Sequence, residues 1–448
     1  MKNEFKGGRR IDDWRPEDEQ FWENGGKQVA SRNLWISIPA LLLAFSVWVI
    51  WSVIVVRMPE VGFQFDKAQL SWLVALPALS GATMRIFYSF MVPIFGGRRW
   101  TAISTASLLI PTIWLGFAIQ NPDTTFTTFA IIALLCGLGG ANFSSSMSNI
   151  SFFYPKSKQG TALGLNAGLG NLGVSVSQFV IPAVIGFSLF GALAGEGQMT
   201  ESGKVLYLQN AAFVWVIPIV IMTVLAWFGM NDLSGAKASF KEQSVIFGRQ
   251  HTWIMCILYL ATFGSFIGFS AAFPMVIKQS FPDVDPLKVA FLGPLVGALF
   301  RPVGVWLADK IGGARVTFWV YVVMAISVVA VMFFLKMGNF IGYFVGFMLL
   351  FMTSGIGNAS TFRMIPVIFR TMHERYNSPD LVNQARKESA AVVGFAGGFA
   401  AYGGFFIPKM FGSGLGINGT FIALIVFYVV CIALTWWYYS RKGAEYPC

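Results

Sequence analysis

The chain has 448 residues, 55% of them hydrophobic and 12% charged, with a formal net charge of +11 and a mean hydropathy of +0.63. Soluble domains carry about 25% charged residues, so a large soluble domain is excluded and a polytopic all-α membrane protein in contact with lipid is implied. The positive balance does not mark a nucleic-acid binder, because its lysines and arginines lie mostly in one set of loops.

Residues 1–33 mix acids and bases and hold no apolar core. They read as a cytoplasmic tail ahead of an uncleaved first helix. A spanning helix needs about 20 mostly apolar residues, and twelve such runs follow. The first six are expected at 34–56, 70–95, 100–119, 127–152, 161–191 and 209–230. A linker at 231–250 separates them from six more at 252–277, 287–308, 316–335, 340–369, 388–410 and 418–440. The expected organisation is therefore a six-helix half at 34–230, a cytoplasmic linker at 231–250, a second half at 251–440 and a cytoplasmic tail at 441–448. With the N-terminus inside, inner segments hold 22 Lys and Arg and outer segments 7, which places both ends on the cytoplasmic side.

The second expected span carries Arg85 and the eighth carries Arg301, both close to midplane. A charge at that depth costs about 2.5–3.5 kcal/mol on insertion scales. The two are 216 positions apart and their surroundings match: Gly81-Ala82 and Gly297-Ala298 before them, Gly96-Gly97 and Gly312-Gly313 after them. The same offset relates Asn142 and Ser144 in the fourth run to Asn358 and Ser360 in the tenth. Parallel six-helix repeats with a substrate near midplane are the arrangement of major facilitator transporters.

Arginines inside a membrane protein normally pair with carboxylates. The 21 acidic residues all fall in tails, loops or span ends, and His251 and His373 lie at or beyond span ends. The cargo is then the natural counter-ion, and a guanidinium fork suits a planar oxyanion; the competing expectation is that each arginine braces a helix. The glycine-rich runs of the fourth, fifth, tenth and eleventh spans read as close helix packing, or as close approach to a small ligand. Asn142, Asn171 and Asn358 offer neutral donors, with Ser144 and Ser360 weaker, and interhelical bonding competes for all of them. Phe45, Phe143, Tyr259 and Phe263 lie inside spans, and a buried Tyr259 hydroxyl needs a partner. Arg363, about one and a half turns from the inner end of the tenth span, is expected to snorkel to the interface or to add a third positive group on the exit path.

The inner loops GGRRW and LADKIGGARVT resemble the loop motif of the major facilitator superfamily, with Pro93 in the first copy where the second has Asp309. Cys136, Cys256, Cys431 and Cys448 show no metal or disulfide spacing, and no cofactor is expected. Nothing here suits an enzyme, since no span carries a nucleophile–base pair, and a receptor would need an output domain.

Over nearly its whole length the sequence resembles the nitrate/nitrite porter family of that superfamily. The resemblance is carried by DWRPED, ASRNLWIS, SGATMRIFYSFMVPIFGGRRW, CGLGGANFSSSMSNISFFYPKSKQG, GLNAGLGNLG, LYLATFGSFIGFSAAF, ADKIGGARVT and GGFFIPK. It implies nitrate and nitrite transport across the bacterial cytoplasmic membrane by rocker-switch alternating access. Arg85 and Arg301 would clamp the anion and Phe143 and Phe263 hold its faces, with Tyr259, Asn171 and Gly140 nearby. Ala167, where the family signature often has Gly, and Arg363, where some members are uncharged, depart from the family pattern. The family holds both proton symporters and exchangers. A proton relay normally uses an intramembrane carboxylate or His, and two arginines would resist closing on an empty site, so exchange is expected. A functional monomer, linked to a cytoplasmic-side nitrate reductase, completes the expectation.

Overall fold

The computed structural model describes residues 9–191, 194–200, 202–236, 244–376 and 381–448. The linker lysines Lys237 and Lys241 lie outside the described residues. Twelve helices among those described are long and apolar enough to cross a membrane. They are α1 (Glu19–Arg57), α2 (Lys67–Phe95), α3 (Gly97–Ala118), α4 (Phe126–Phe153), α5 (Lys156–Val184) and α6 (Asn210–Gly229). The second six are α7 (Gln250–Ser280), α8 (Pro286–Ile311), α9 (Gly313–Lys336), α10 (Phe340–Arg375), α11 (Lys387–Phe411) and α12 (Gly416–Ser440). Two compact units result, one of residues 1–65 and 76–238, the other of residues 66–75 and 239–448.

Several helices overrun the limits that hydropathy sets. α1 starts at Glu19, inside the segment read as a tail, and Asp18 caps that start by accepting from Phe21 N. α10 runs on to Arg375, and the helix of α11 already begins at Leu381. Charged residues at these helix ends lower the hydropathy without breaking the helix.

The repeat is visible in the packing. In the first unit α1 packs on α4 and α5, and α3 on α4 and α6; in the second, α7 packs on α10 and α11, and α9 on α10 and α12. Small residues allow this. A Cβ on Gly173 would come within 2.1 Å of the Leu42 carbonyl oxygen, and one on Gly403 within 2.2 Å of Gly264 Cα. In both places main chain meets main chain with no side chain between, as in small-residue contacts of membrane helices.

The α2–α3 and α8–α9 loops repeat too. Gly96 and Gly312 take φ of 89° and 92°, a region open to glycine but strained for other residues. In the first unit, strand β1 (Arg10–Ile11) pairs in parallel with β4 (Asp232–Leu233), and a hairpin of β2 (Gln198–Met199) and β3 (Val205–Leu206) lies between α5 and α6. The β1–β4 pairing brings Asp232 to the start of α3, where its carboxylate accepts from Arg98 N at 2.9 Å, Arg99 N at 3.3 Å and Arg98 Nε at 3.2 Å. An acid at a helix N-terminus satisfies donors that the helix itself leaves open. In the second unit Ala314 N, 216 positions after Arg98, donates at 3.0 Å to the carbonyl of Cys448, 216 positions after Asp232.

Candidate anion site

Arg85 sits on α2 and is 1% exposed. Its Nε donates to the Gly140 carbonyl at 2.9 Å. Its Cζ lies 4.7 Å from the Phe143 ring centroid and 5.4 Å from that of Trp48. Contacts of this kind attract a cation to an aromatic face. Phe45 stands edge-on to Phe143 at 6.1 Å and to Trp48 at 5.3 Å, and Trp48 Nε1 donates to the Pro77 carbonyl at 2.8 Å. Gly140 makes the arrangement possible: a Cβ there would sit 2.4 Å from Trp48 Cε2. The resemblance puts Arg85, Gly140 and Phe143 near one anion, with Phe45 a secondary candidate, and in the structure these four residues lie together.

In the second unit Arg301 sits on α8, half-buried. Its Nη1 is buried and has no hydrogen-bond partner among the described residues. Its Cζ lies 5.9 Å from the Phe362 ring, which stacks on Tyr259 at 4.1 Å. Tyr259 in turn stacks on Phe263 at 5.4 Å, with the rings 5° from parallel. Tyr259 immediately precedes a π-helical turn, Leu260–Gly264, and Phe263 lies within it, a distortion that recurs at functional sites. A ladder of three rings thus stands beside a guanidinium with an unused donor.

The amides and hydroxyls divide. Asn171 and Asn358 are each 2% exposed with an Oδ1 that lacks a partner among the described residues. Asn142 Nδ2 donates to the Ser104 carbonyl at 3.4 Å, and the residue lines a small cavity with Ser37, Ser104 and Ser146. Ser144 is buried on α4. Ser360 shares a 2.8 Å hydroxyl contact with Thr317 on α9.

One expectation about charge needs correction. Arg363 is not near the end of its helix, because α10 continues twelve residues further, and its guanidinium is paired: Nε donates to Asp309 Oδ1 at 2.8 Å, and Nη2 to the same oxygen. At the neighbouring span ends, Glu388 and His373 meet. Glu388 is the second residue of α11; its carboxylate accepts two bonds of 3.0 Å from Arg249 and lies 3.3 Å from His373 Nε2. His373 is the third residue from the end of α10 and is 1% exposed. Sequence reasoning also passed over Trp48 and Phe362; the spacing of Trp48 from Phe45 (i, i+3) and of Phe362 from Asn358 (i, i+4) is the signal that flags them.

A profile of the Major Facilitator Superfamily matches residues 36–408. The chain is 50% identical to the "Nitrate/nitrite transporter NarU" of Escherichia coli (strain K12), covering 99% of this chain and 98% of that one. This chain belongs to the nitrate/nitrite porter family of the major facilitator superfamily. The porter is also 42% identical to the "Probable nitrate/nitrite antiporter NarK2" of Thermus thermophilus, over 98% and 99% of the two chains. Among solved structures it is similar to the partially occluded, inward open xylose transporter XylE from E. coli, with a TM-score of 0.65 and 14% identity over 91% and 99% of the two chains. That likeness shows the fold alone, a multi-pass helical membrane protein.

Proposed function

We propose that this porter imports nitrate in exchange for nitrite across the bacterial cytoplasmic membrane, with both termini cytoplasmic. One planar anion is held by the guanidinium groups of Arg85 and Arg301 during alternating access. The observation that carries the reading is Arg301 Nη1, a buried cationic donor with no partner among the described residues. Leaving a charged donor unsatisfied costs several kcal/mol, and a bound anion removes that cost. Phe143, Phe263 and Tyr259 offer flat faces suited to a planar ion. The names of the two relatives set the substrate class, and their near-complete coverage supports carrying it over. Nitrite made inside by a nitrate reductase would supply the counter-substrate to a porter working as a monomer.

The test is counterflow in liposomes containing the purified porter. Labelled nitrate enters vesicles loaded with nitrite or nitrate, and enters empty vesicles at less than a tenth of that rate, whatever the pH gradient. Proton symport is the second reading, and the Glu388–His373 contact is the observation in its favour. The Arg249 fork already occupies that carboxylate, so exchange is preferred. Uptake into empty vesicles driven by an inward proton gradient decides for symport.

A further inference from the structure

The Arg363–Asp309 pair plays no part in the site described. Its side chains are 56% and 46% exposed, and exposed ion pairs add little to stability. Asp309 lies eight residues beyond Arg301 on α8, about 12 Å along the axis toward the end expected to be cytoplasmic. Subtracting the 216-residue repeat places Pro93 opposite Asp309 and Met147 opposite Arg363. The first half thus lacks both charges, and the second carries both. At these two repeat-related positions the guanidinium and the carboxylate occur together or not at all.

An unpaired Arg363 would offer an anion the same fork as Arg301. A carrier must hold its cargo weakly enough on the exit side to let it go, and a second fork 12 Å along the helix would work against that. We propose that Asp309 is the release counter-ion of the porter: it occupies the Arg363 fork so that the transported anion, on leaving Arg301, is not captured a second time. The proposal rests on reading Arg301 as an anion ligand.

The test titrates detergent-purified full-length porter with potassium nitrate, balanced with potassium gluconate at constant ionic strength. Binding is read by calorimetry and exchange by liposome counterflow. Asp309→Asn, which keeps size and shape, is expected to tighten nitrate binding at least threefold or add a second binding event. Its exchange kcat and KM should fall together, at least threefold. The double variant Asp309→Asn/Arg363→Met, which restores the uncharged state of the first half, should return binding and exchange to within twofold of the parent. If Asp309→Asn does not fold, Asp309→Ser carries the same expectation. Unchanged binding in the Asp309 variant overturns the proposal, as does a double variant that keeps the single variant's defect; the pair is then a helix brace. An Arg301→Lys variant with parental nitrate affinity overturns the site reading itself, so the two failures are told apart.

Discussion

Arg301→Lys keeps the charge and removes the fork. The guanidinium places a buried Nη1 donor, without a partner among the described residues, beside the Phe362–Tyr259–Phe263 ladder; lysine has a single compact ammonium on a flexible four-carbon stem and cannot present two coplanar N–H groups. One charge-assisted hydrogen bond is worth about 1.5–3 kcal/mol, and each 1.4 kcal/mol is tenfold in affinity. The variant should therefore bind nitrate about ten- to a hundredfold more weakly, with a melting temperature within a few degrees of the parent because Nη1 has no partner among the described residues to lose. Calorimetric titration of the purified protein with nitrate measures the first, and a thermal melt in the same detergent the second. A loss of less than threefold refutes the reasoning. So does a fall in melting temperature large enough to show that Arg301 braces the fold.

Gly173→Ala puts a methyl against the Leu42 carbonyl and should cost about 1–3 kcal/mol or more by overpacking; Gly394→Ala, with nothing within 4 Å, should melt at or above the parent temperature, because Ala is the better helix former. Paired thermal melts check both. Asp232→Asn keeps the acceptor for Arg98 N but breaks the buried pair with Arg98, whose side chain is 6% exposed. It should destabilise the porter by about 3 kcal/mol, seen as a lower melting temperature. Burial pushes the Cys448 thiol up to about 12, against which the Ala314 hydrogen bond acts. The thiolate is the reactive form, so labelling by a maleimide should be negligible near pH 7 and rise only toward the top of the alkaline range. With Cys136, Cys256 and Cys431 buried, intact-mass analysis at pH 7 should find fewer than one label per folded chain and four after denaturation.

The twelve spans were legible because bilayer thickness sets a length that composition alone can meet. Arg85 and Arg301 stood out for a similar reason: a charge inside such a run is costly, and the same cost appears twice at a fixed offset. The partners of the other charges were not legible. Hydropathy ends a span where charges begin, yet α10 and α11 carry their helices through Arg375 and from Leu381, so the meeting of His373 with Glu388 at those ends gave no signal. Asp309 was seen only as part of a loop motif, and its reach to Arg363 depends on how α8 and α10 lie together. Trp48 and Phe362 were hidden by abundance, among 15 Trp and 44 Phe. The π-helical turn at Leu260–Gly264 has no composition of its own.

The main-chain contacts of Gly173 with Leu42 and of Gly403 with Gly264 have a use at the bench. Where two backbones touch with no side chain between, no rotamer change can absorb a displacement, so α1 with α5 and α7 with α11 should each travel as one piece. A pair of spin labels on the outer faces of either couple would then report the same distance in nitrate, in nitrite and in neither. Such a fixed distance is an internal ruler, against which labels on any other helix pair can be read without a separate calibration.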